Sequence, residues 1–277
     1  MPGRAVRWYR HALLVAANAV IVGLFVFPLI WMLLGAFKSE ADLLSPDPVW
    51  FFKPTLEHWR FIHDNWAVER HLLNSLLISV ATTFLTLVLA LPAAYGLSRF
   101  PIWQKDAILF DILSLKMIPP IASIVPLFVL VRSVGAYNTL AVLIILNAAF
   151  QLPFAILVLK SFIDEIPREI DEAATVDGCR PWRVLWKTIL PLSAPGLICC
   201  ALFVFMFTWN EFLLANTMVS GDTRPLPPIV GLALTHRGIL WGPAMALGVV
   251  VVLPVLFLTF ALSRYMARGL TFGAVKG

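Results

Sequence analysis

Charge is what this chain has least of. Asp, Glu, Lys and Arg make up 13% of its 277 residues, where soluble domains carry ~25%. So few charged groups cannot cover a soluble surface. Apolar residues reach 60% and the mean hydropathy is +0.87, so the chain reads as an integral membrane protein. Cysteine is scarce too: Cys179, Cys199 and Cys200 make no disulfide framework, and the adjacent Cys199 and Cys200 lie in an apolar run as core thiols. No C-x-x-C, His-rich tract or metal-ligand spacing occurs, which leaves metal binding without support. The five histidines (His11, His58, His63, His71 and His236) lie near span ends or in loops and form no cluster with acids or thiols within the bundle, so an intramembrane enzyme has no constellation to work with. The phosphate-cradling pattern G-x-x-x-x-G-K-[ST] is also missing. The net charge of +5 sits largely beside apolar runs, as topology determinants do, and forms no stripe for nucleic acid.

What the chain has is long apolar runs. A membrane helix needs about 20 mostly apolar residues, and six stretches qualify or nearly so: 12–36, 72–97, 107–131, 138–162, 192–217 and 242–265. The first follows Arg4, Arg7 and Arg10 but is too long for a signal h-region and ends on no small-residue cleavage site, so it reads as a retained span. An all-α membrane protein of six spans has both termini on one side. Arg4, Arg7, Arg10, Arg99, Lys105, Lys160, Arg168, Arg180, Arg183, Lys187, Arg264, Arg268 and Lys276 fall on that side. Only Lys38, Lys53, Arg60, Arg70, Arg132, Arg224 and Arg237 fall on the other, over more residues. The positive-inside bias makes the first side, with both termini, cytoplasmic. Prolines recur inside the spans, as suits irregular packing and, taken together, a bundle that encloses a cavity and changes shape.

The interval 164–190 lies on the cytoplasmic side in this topology. Pro167 suits a helix first turn, Glu169, Asp171 and Glu172 suit the positive end of its dipole, and Gly178 suits a left-handed residue after its end. That pattern predicts a helix over 167–177. Pro181 then opens a second helix with Trp182, Leu185, Trp186 and Ile189 on one face, and Pro191 begins the next span. Two short helices joined at a glycine make a rigid elbow. Ala173 and Ala174 are small where an exposed helix has no need to be, which admits close approach by another surface.

"EAATVDG" at 172–178 followed by "LP" at 190–191 resembles the EAA loop of permease subunits of bacterial ABC importers. Glu172, Ala173, Ala174, Asp177, Gly178, Leu190 and Pro191 match, and Thr188 departs where Ile is usual. "AAYGLSRF" at 93–100, "WNEF" at 209–212 and the tail "RGLTFGAVKG" at 268–277 extend the likeness to carbohydrate-uptake permeases of the maltose type, in particular the smaller permease of such systems. The resemblance implies a type I ABC importer permease fold in the bacterial cytoplasmic (inner) membrane. It implies a second homologous permease, an ABC ATPase dimer and an extracytoplasmic sugar-binding protein as partners. ATP and Mg would then sit on the ATPase, with no cofactor in this chain. Glu172, Ala173, Ala174, Asp177 and Gly178 would form the ATPase-coupling surface, and the tail at 268–277 would reach towards the ATPases. By the same resemblance the 220–228 loop "SGDTRPLPP" would enter the binding protein's cleft, and the loop at 38–70, with Trp50, Trp59 and Trp66, would help dock it or sit at the lipid interface.

Polar side chains within spans face a bundle interior or a cavity. Asn74, Gln151, Trp209, Asn210 and Glu211 are the pathway candidates, with Ser75 and Asn147 beside them; helix–helix hydrogen bonding is the competing reading, favoured for Asn74 and Asn147. Lys116 in the third span is open to snorkelling, pairing with Asp111 or lining the pathway. An ion-coupled secondary transporter is the alternative function, but it needs midplane acids and finds only Glu211.

Overall fold

The computed structural model describes residues 3–235 and 238–272, with side chains from 11 and 13–235 and from 238–262. The expected contributions of His236, Arg237, Lys276 and the end of the tail, 273–277, lie outside the described residues. In chain order the helices are α1 (Gly3–Gly35), α2 (Glu40–Leu43), α3 (Glu57–Trp66), α4 (Val68–Arg99), α5 (Lys105–Leu115), α6 (Pro120–Ser133) and α7 (Leu140–Asp164). There follow α8 (Arg168–Val176), α9 (Pro181–Val184), a π-helical turn at Leu185–Ile189, α10 (Leu190–Leu192), α11 (Ala194–Trp209), α12 (Leu213–Met218), α13 (Leu226–Val230) and α14 (Trp241–Phe272). One small antiparallel hairpin, β1 (Leu234–Thr235) with β2 (Gly238–Ile239), precedes α14.

Among the described residues four helices are long and apolar enough to cross a membrane alone, and counting two bent pairs as spans raises the number to six. The stretch expected as a third span is broken: α5 and α6 meet at 86°. Pro119 and Pro120 supply no N–H to the carbonyls of Leu115 and Lys116 one turn back, so the α-helix cannot run through. A second bend of 80° separates the segment Pro181–Leu192 from α11, at Ser193 and just before Pro195. The fifth span also stops at Trp209 and restarts at Leu213. Of the apolar window within Leu13–Gly35 none is buried by the chain itself, as expected of a helix solvated by lipid or by another subunit.

Contacts divide the chain into two units, Met1–Val68 with Val230–Val252, and Glu69–Ile229 with Leu253–Gly277. In the first, α1 and the start of α14 approach closely and reciprocally. Gly35 lies under Met245 and Gly248 under Met32, each leaving no room for a methyl group. Beside them Lys38 is buried with its ammonium 4.3 Å from the Trp31 ring centroid, and His58 Nε2 donates to the Lys38 carbonyl at 2.9 Å.

The second unit is built on α4, α7 and α11. Ser75, Ser79, Thr82 and Thr86 recur at helical spacing along α4 and are all buried, a seam of small polar side chains that lets helix backbones approach. Thr82 Oγ1 donates across it to the Ile144 carbonyl on α7 at 3.4 Å. One apolar core joins Ala90, Leu91, Ala94 and Tyr95 of α4 to Leu159 and Ile163 of α7, Leu185 and Ile189 of the π turn, and Cys200 and Val204 of α11. Thr139 starts α7 by accepting from the Val142 N–H at 3.3 Å.

Where α11 meets α7, Gly196 lies against the flat of the Phe162 ring, and a Cβ would overlap it. Gly196→Ala is therefore expected to destabilise the protein by about 1–3 kcal/mol, as overpacking does. Gly23→Ala in α1, where nothing lies within 4 Å, is expected to be neutral or slightly stabilising. Thermal melts in detergent compare the two, and an equal response would contradict this account of the α7–α11 contact.

Candidate functional site

The elbow between α7 and α11 is made by local rules. Pro167, with extended backbone (φ −55°, ψ 136°), leads into α8. At the other end Gly178 has φ +78°, a conformation that favours glycine. The Gly178 N–H bonds to the Thr175 carbonyl at 2.9 Å and the Cys179 N–H to the Ala174 carbonyl at 3.0 Å. These are the two bonds of a Schellman ending, and the apolar contact that accompanies such endings is present: Ala174 and Cys179 both pack on the inner core. Ala174 is thus small because it faces inward. Glu172, Ala173, Val176 and Asp177 face out, and Val176 is 88% exposed, an apolar side chain on an otherwise polar surface that sequence reading passed over. The second half of the elbow anchors through Leu185 and Ile189, both fully buried, while Trp182 stays exposed against Trp186.

Asp171 does not join the outward acids. It forms an ion pair with Arg99 at the end of α4, and the two side chains are 14% and 8% exposed. Arg99 Nη2 also donates to the Ile166 carbonyl at 2.7 Å, and Arg168 Nη2 to the Ser98 carbonyl at 3.3 Å. Ser98 Oγ donates to Asp164 Oδ1 at 2.5 Å, while Lys160 takes the other oxygen of Asp164, also at 2.5 Å. The ends of α4 and α7 and the start of α8 are therefore one hydrogen-bonded block. The position of Asp171 beside the inner face of α8, marked by Ile170 and Ala174, was legible in the sequence; its partner on α4 was not.

At the opposite end of α4 a second cluster holds the loop at 218–226. Arg70 pairs with Asp222, His71 Nδ1 donates to the Arg224 carbonyl at 2.7 Å, and the Leu226 N–H donates to Ser75 Oγ at 2.7 Å. Asn74 belongs to this cluster. Its amide donates to the carbonyls of Asp222 and Arg224 at 2.8 and 3.0 Å. Asn138 Oδ1 accepts from the Ser220 N–H at 2.8 Å on the other flank.

The remaining pathway candidates divide into two places. Gln151, on α7, accepts from Lys116 Nζ at 3.0 Å, so the lysine's partner is the amide and not Asp111. Trp209, Asn210 and Glu211 mark the break between α11 and α12. Trp209 is 1% exposed and stacked on Phe205, with ring centroids 5.6 Å apart. The exposed Asn210 amide donates back to the Met206 carbonyl at 2.8 Å. Both Glu211 oxygens accept N–H groups of α12, from Leu214 at 2.8 Å and Ala215 at 3.0 Å. These donors have no partner within the helix, so the carboxylate ends α12 at its N-terminus. Asn147 donates to the Leu143 carbonyl of its own helix at 2.9 Å. Among the described residues no three metal-ligating side chains come together.

Comparison with known proteins shows the family and the fold. The family model described as "Binding-protein-dependent transport system inner membrane component" matches residues 86–272. The chain is 33% identical to the diacetylchitobiose uptake system permease protein of Streptomyces coelicolor over 95% of this chain and 96% of that one. It is 33% identical to the trehalose/maltose transport system permease protein of Thermococcus litoralis over 97% and 98%. Among solved structures, a chain of a bacterial ABC transporter involved in import of the acidic polysaccharide alginate has the same fold, with TM-score 0.76 at 20% identity over 92% of this chain and 96% of that one.

Removing one member of a buried ion pair leaves the other charge uncompensated, at a cost of ~3 kcal/mol. Arg99→Ala and Asp171→Ala are each expected to destabilise the protein by about that much, and the double variant by clearly less than the sum. Unfolding of the four proteins of this cycle measures the coupling. Strict additivity would mean that the pair does not hold α8 to α4.

Proposed function

The chain belongs to the family of binding-protein-dependent transport system inner membrane components, and from that premise we propose how its parts serve import. It is the non-catalytic, multi-pass permease subunit of an ATP-driven importer in the inner membrane. The solute is a sugar or sugar derivative, a reading supported by relatives named for diacetylchitobiose uptake and trehalose/maltose transport. A second, homologous permease completes the membrane part. Two ATPase chains hold ATP and Mg, since this chain has no G-x-x-x-x-G-K-[ST] cradle. An extracytoplasmic binding protein delivers the solute, with the loop at 220–228, braced through Asp222, Arg224 and Leu226, as its docking surface.

The observation that carries this reading is the elbow. Glu172, Ala173, Val176 and Asp177 present a small, mixed polar and apolar face on a helix whose far side is fixed to the transmembrane core. With both termini and the elbow in the cytoplasm, as the basic residues favour, that face receives the ATPase. Closure of the ATPase dimer moves α8. Through Arg99–Asp171 and Ser98–Asp164 the displacement enters α4 and α7 together, and the cavity between permeases changes from inward- to outward-open. No bond is made or broken in this chain. An ion-coupled carrier would need a free acid at midplane, and Glu211 is committed to the start of α12.

Ala173→Trp adds bulk to the exposed face without touching the core. It is expected to cut uptake and binding-protein-stimulated ATP hydrolysis more than tenfold while thermal stability stays within about 0.5 kcal/mol of the parent, as for ordinary surface substitutions. Unchanged uptake by that variant would sink the coupling role of this face.

A further inference from the structure

A cation lies deep in the membrane part on an exposed face, and nothing in the transport scheme above uses it. Lys116 follows α5, in the break ahead of Pro119 and Pro120, and its Nζ reaches Gln151 Oε1 at 3.0 Å. Gln151 is the twelfth of the 25 residues of α7, counting Leu140 as the first. At 1.5 Å per residue it lies roughly 17 Å from one end of that span and 20 Å from the other. The ammonium is therefore near mid-depth. Three further observations say what surrounds it.

The first is backbone. The carbonyls of Leu115 and Lys116 have no helical N–H to meet, because the residues four positions on are Pro119 and Pro120. Non-helical backbone at membrane depth persists only inside protein or along water. Within the chain this segment is uncovered: Met117 is 78% exposed and Ile118 50%. The second is charge. An ammonium has three protons, and Gln151 takes one; among the described residues no carboxylate pairs with Lys116. The third is the aromatic edge. Lys116 Nζ lies 6.0 Å from the Phe154 ring centroid, and Phe154 meets Phe203 and the half-exposed Phe207. Aromatic faces beside free donors are the elements that hold a ring-shaped, hydroxyl-rich solute.

We propose that Lys116, Gln151 and the Phe154 cluster form a solute station in the translocation pathway, which takes the solute's acceptor oxygens and favours those that carry negative charge, as in a carboxylated, sulfonated or phosphorylated sugar. The inference rests on the importer reading. It gives Lys116 the part of a specificity residue and makes the break between α5 and α6 a water-lined segment.

Cysteine chemistry tests it in the assembled transporter. Met117→Cys, with Ile118→Cys as a second position and the parent chain as blank, is treated in membrane vesicles with anionic MTSES or cationic MTSEA, with and without ATP and vanadate. Both positions are expected to label, at rates that differ several-fold between nucleotide states. Adding Lys116→Met is expected to lower the MTSES-to-MTSEA rate ratio about tenfold. No labelling of either cysteine in any state, with the ATPase still co-purifying, would overturn the station, because the segment would then be sealed against lipid or the companion permease. A rate ratio indifferent to Lys116→Met would overturn the charge preference. Failure of the ATPase to co-purify even with the parent chain would count against the importer reading itself, a result distinct from either.

Discussion

Hydrocarbon offers no hydrogen bonds, so each polar group of this chain must find its partner within protein or in water. The structure is organised by that constraint. Along α4 it appears in the buried seam, where Ser75 Oγ accepts from the Leu226 N–H and Thr82 Oγ1 donates to the Ile144 carbonyl, while the hydroxyls of Ser79 and Thr86 have no hydrogen-bond partner among the described residues. At the breaks it appears as specific rescue. Glu211 meets the free N–H groups that begin α12, and beside the break in the third span Lys116 Nζ reaches Gln151 on α7. At the membrane edge, where water returns, charge can be used mechanically. There Arg99, Asp171, Asp164 and Lys160 join two spans and the elbow into one block.

Such a block suits a subunit that does no chemistry. An importer's permease must convert a push at one surface into a rearrangement of spans, and a compliant elbow would absorb the push. Two devices oppose that. The Schellman ending at Gly178 stops α8 abruptly and turns Cys179 back onto the core, and the ion pair at Asp171 fastens the helix's other end to α4. The fully buried Leu185 and Ile189 fix the second half of the elbow to the same core. Among the described residues the side chains of the outward face, Ala173 and Val176 included, are exposed.

Much of the elbow was readable because turn chemistry is local. Pro167 and Gly178 bracket α8 to within a residue at each end, and only a glycine-compatible backbone continues there. Apolar helical stretches were readable for the same reason, since apolar length needs no knowledge of neighbours. What depends on distant residues was not. Asp171 looked like one more acid of the first turn until α4 brought Arg99 to it. Asn74 is within a span by sequence but reaches the carbonyls of Asp222 and Arg224, almost 150 positions away. Trp209 and Glu211 are neighbours of Asn210 in sequence, yet one is core and the other a helix cap, because the helix stops between them. Proline told of irregularity but not of an 86° bend, which depends on how α5 and α6 each pack.

The central claim is that the elbow and the end of α4 move as one body. The direct measurement is a spin-label distance within one chain of the assembled transporter, between labels at Glu169→Cys on α8, away from the ATPase-facing residues, and Trp103→Cys just beyond α4, both on exposed positions. The account predicts the same distance distribution without nucleotide and with ATP trapped by vanadate. A shift between those states of about one helical turn, ~5 Å, would show the elbow sliding on α4 and would contradict it.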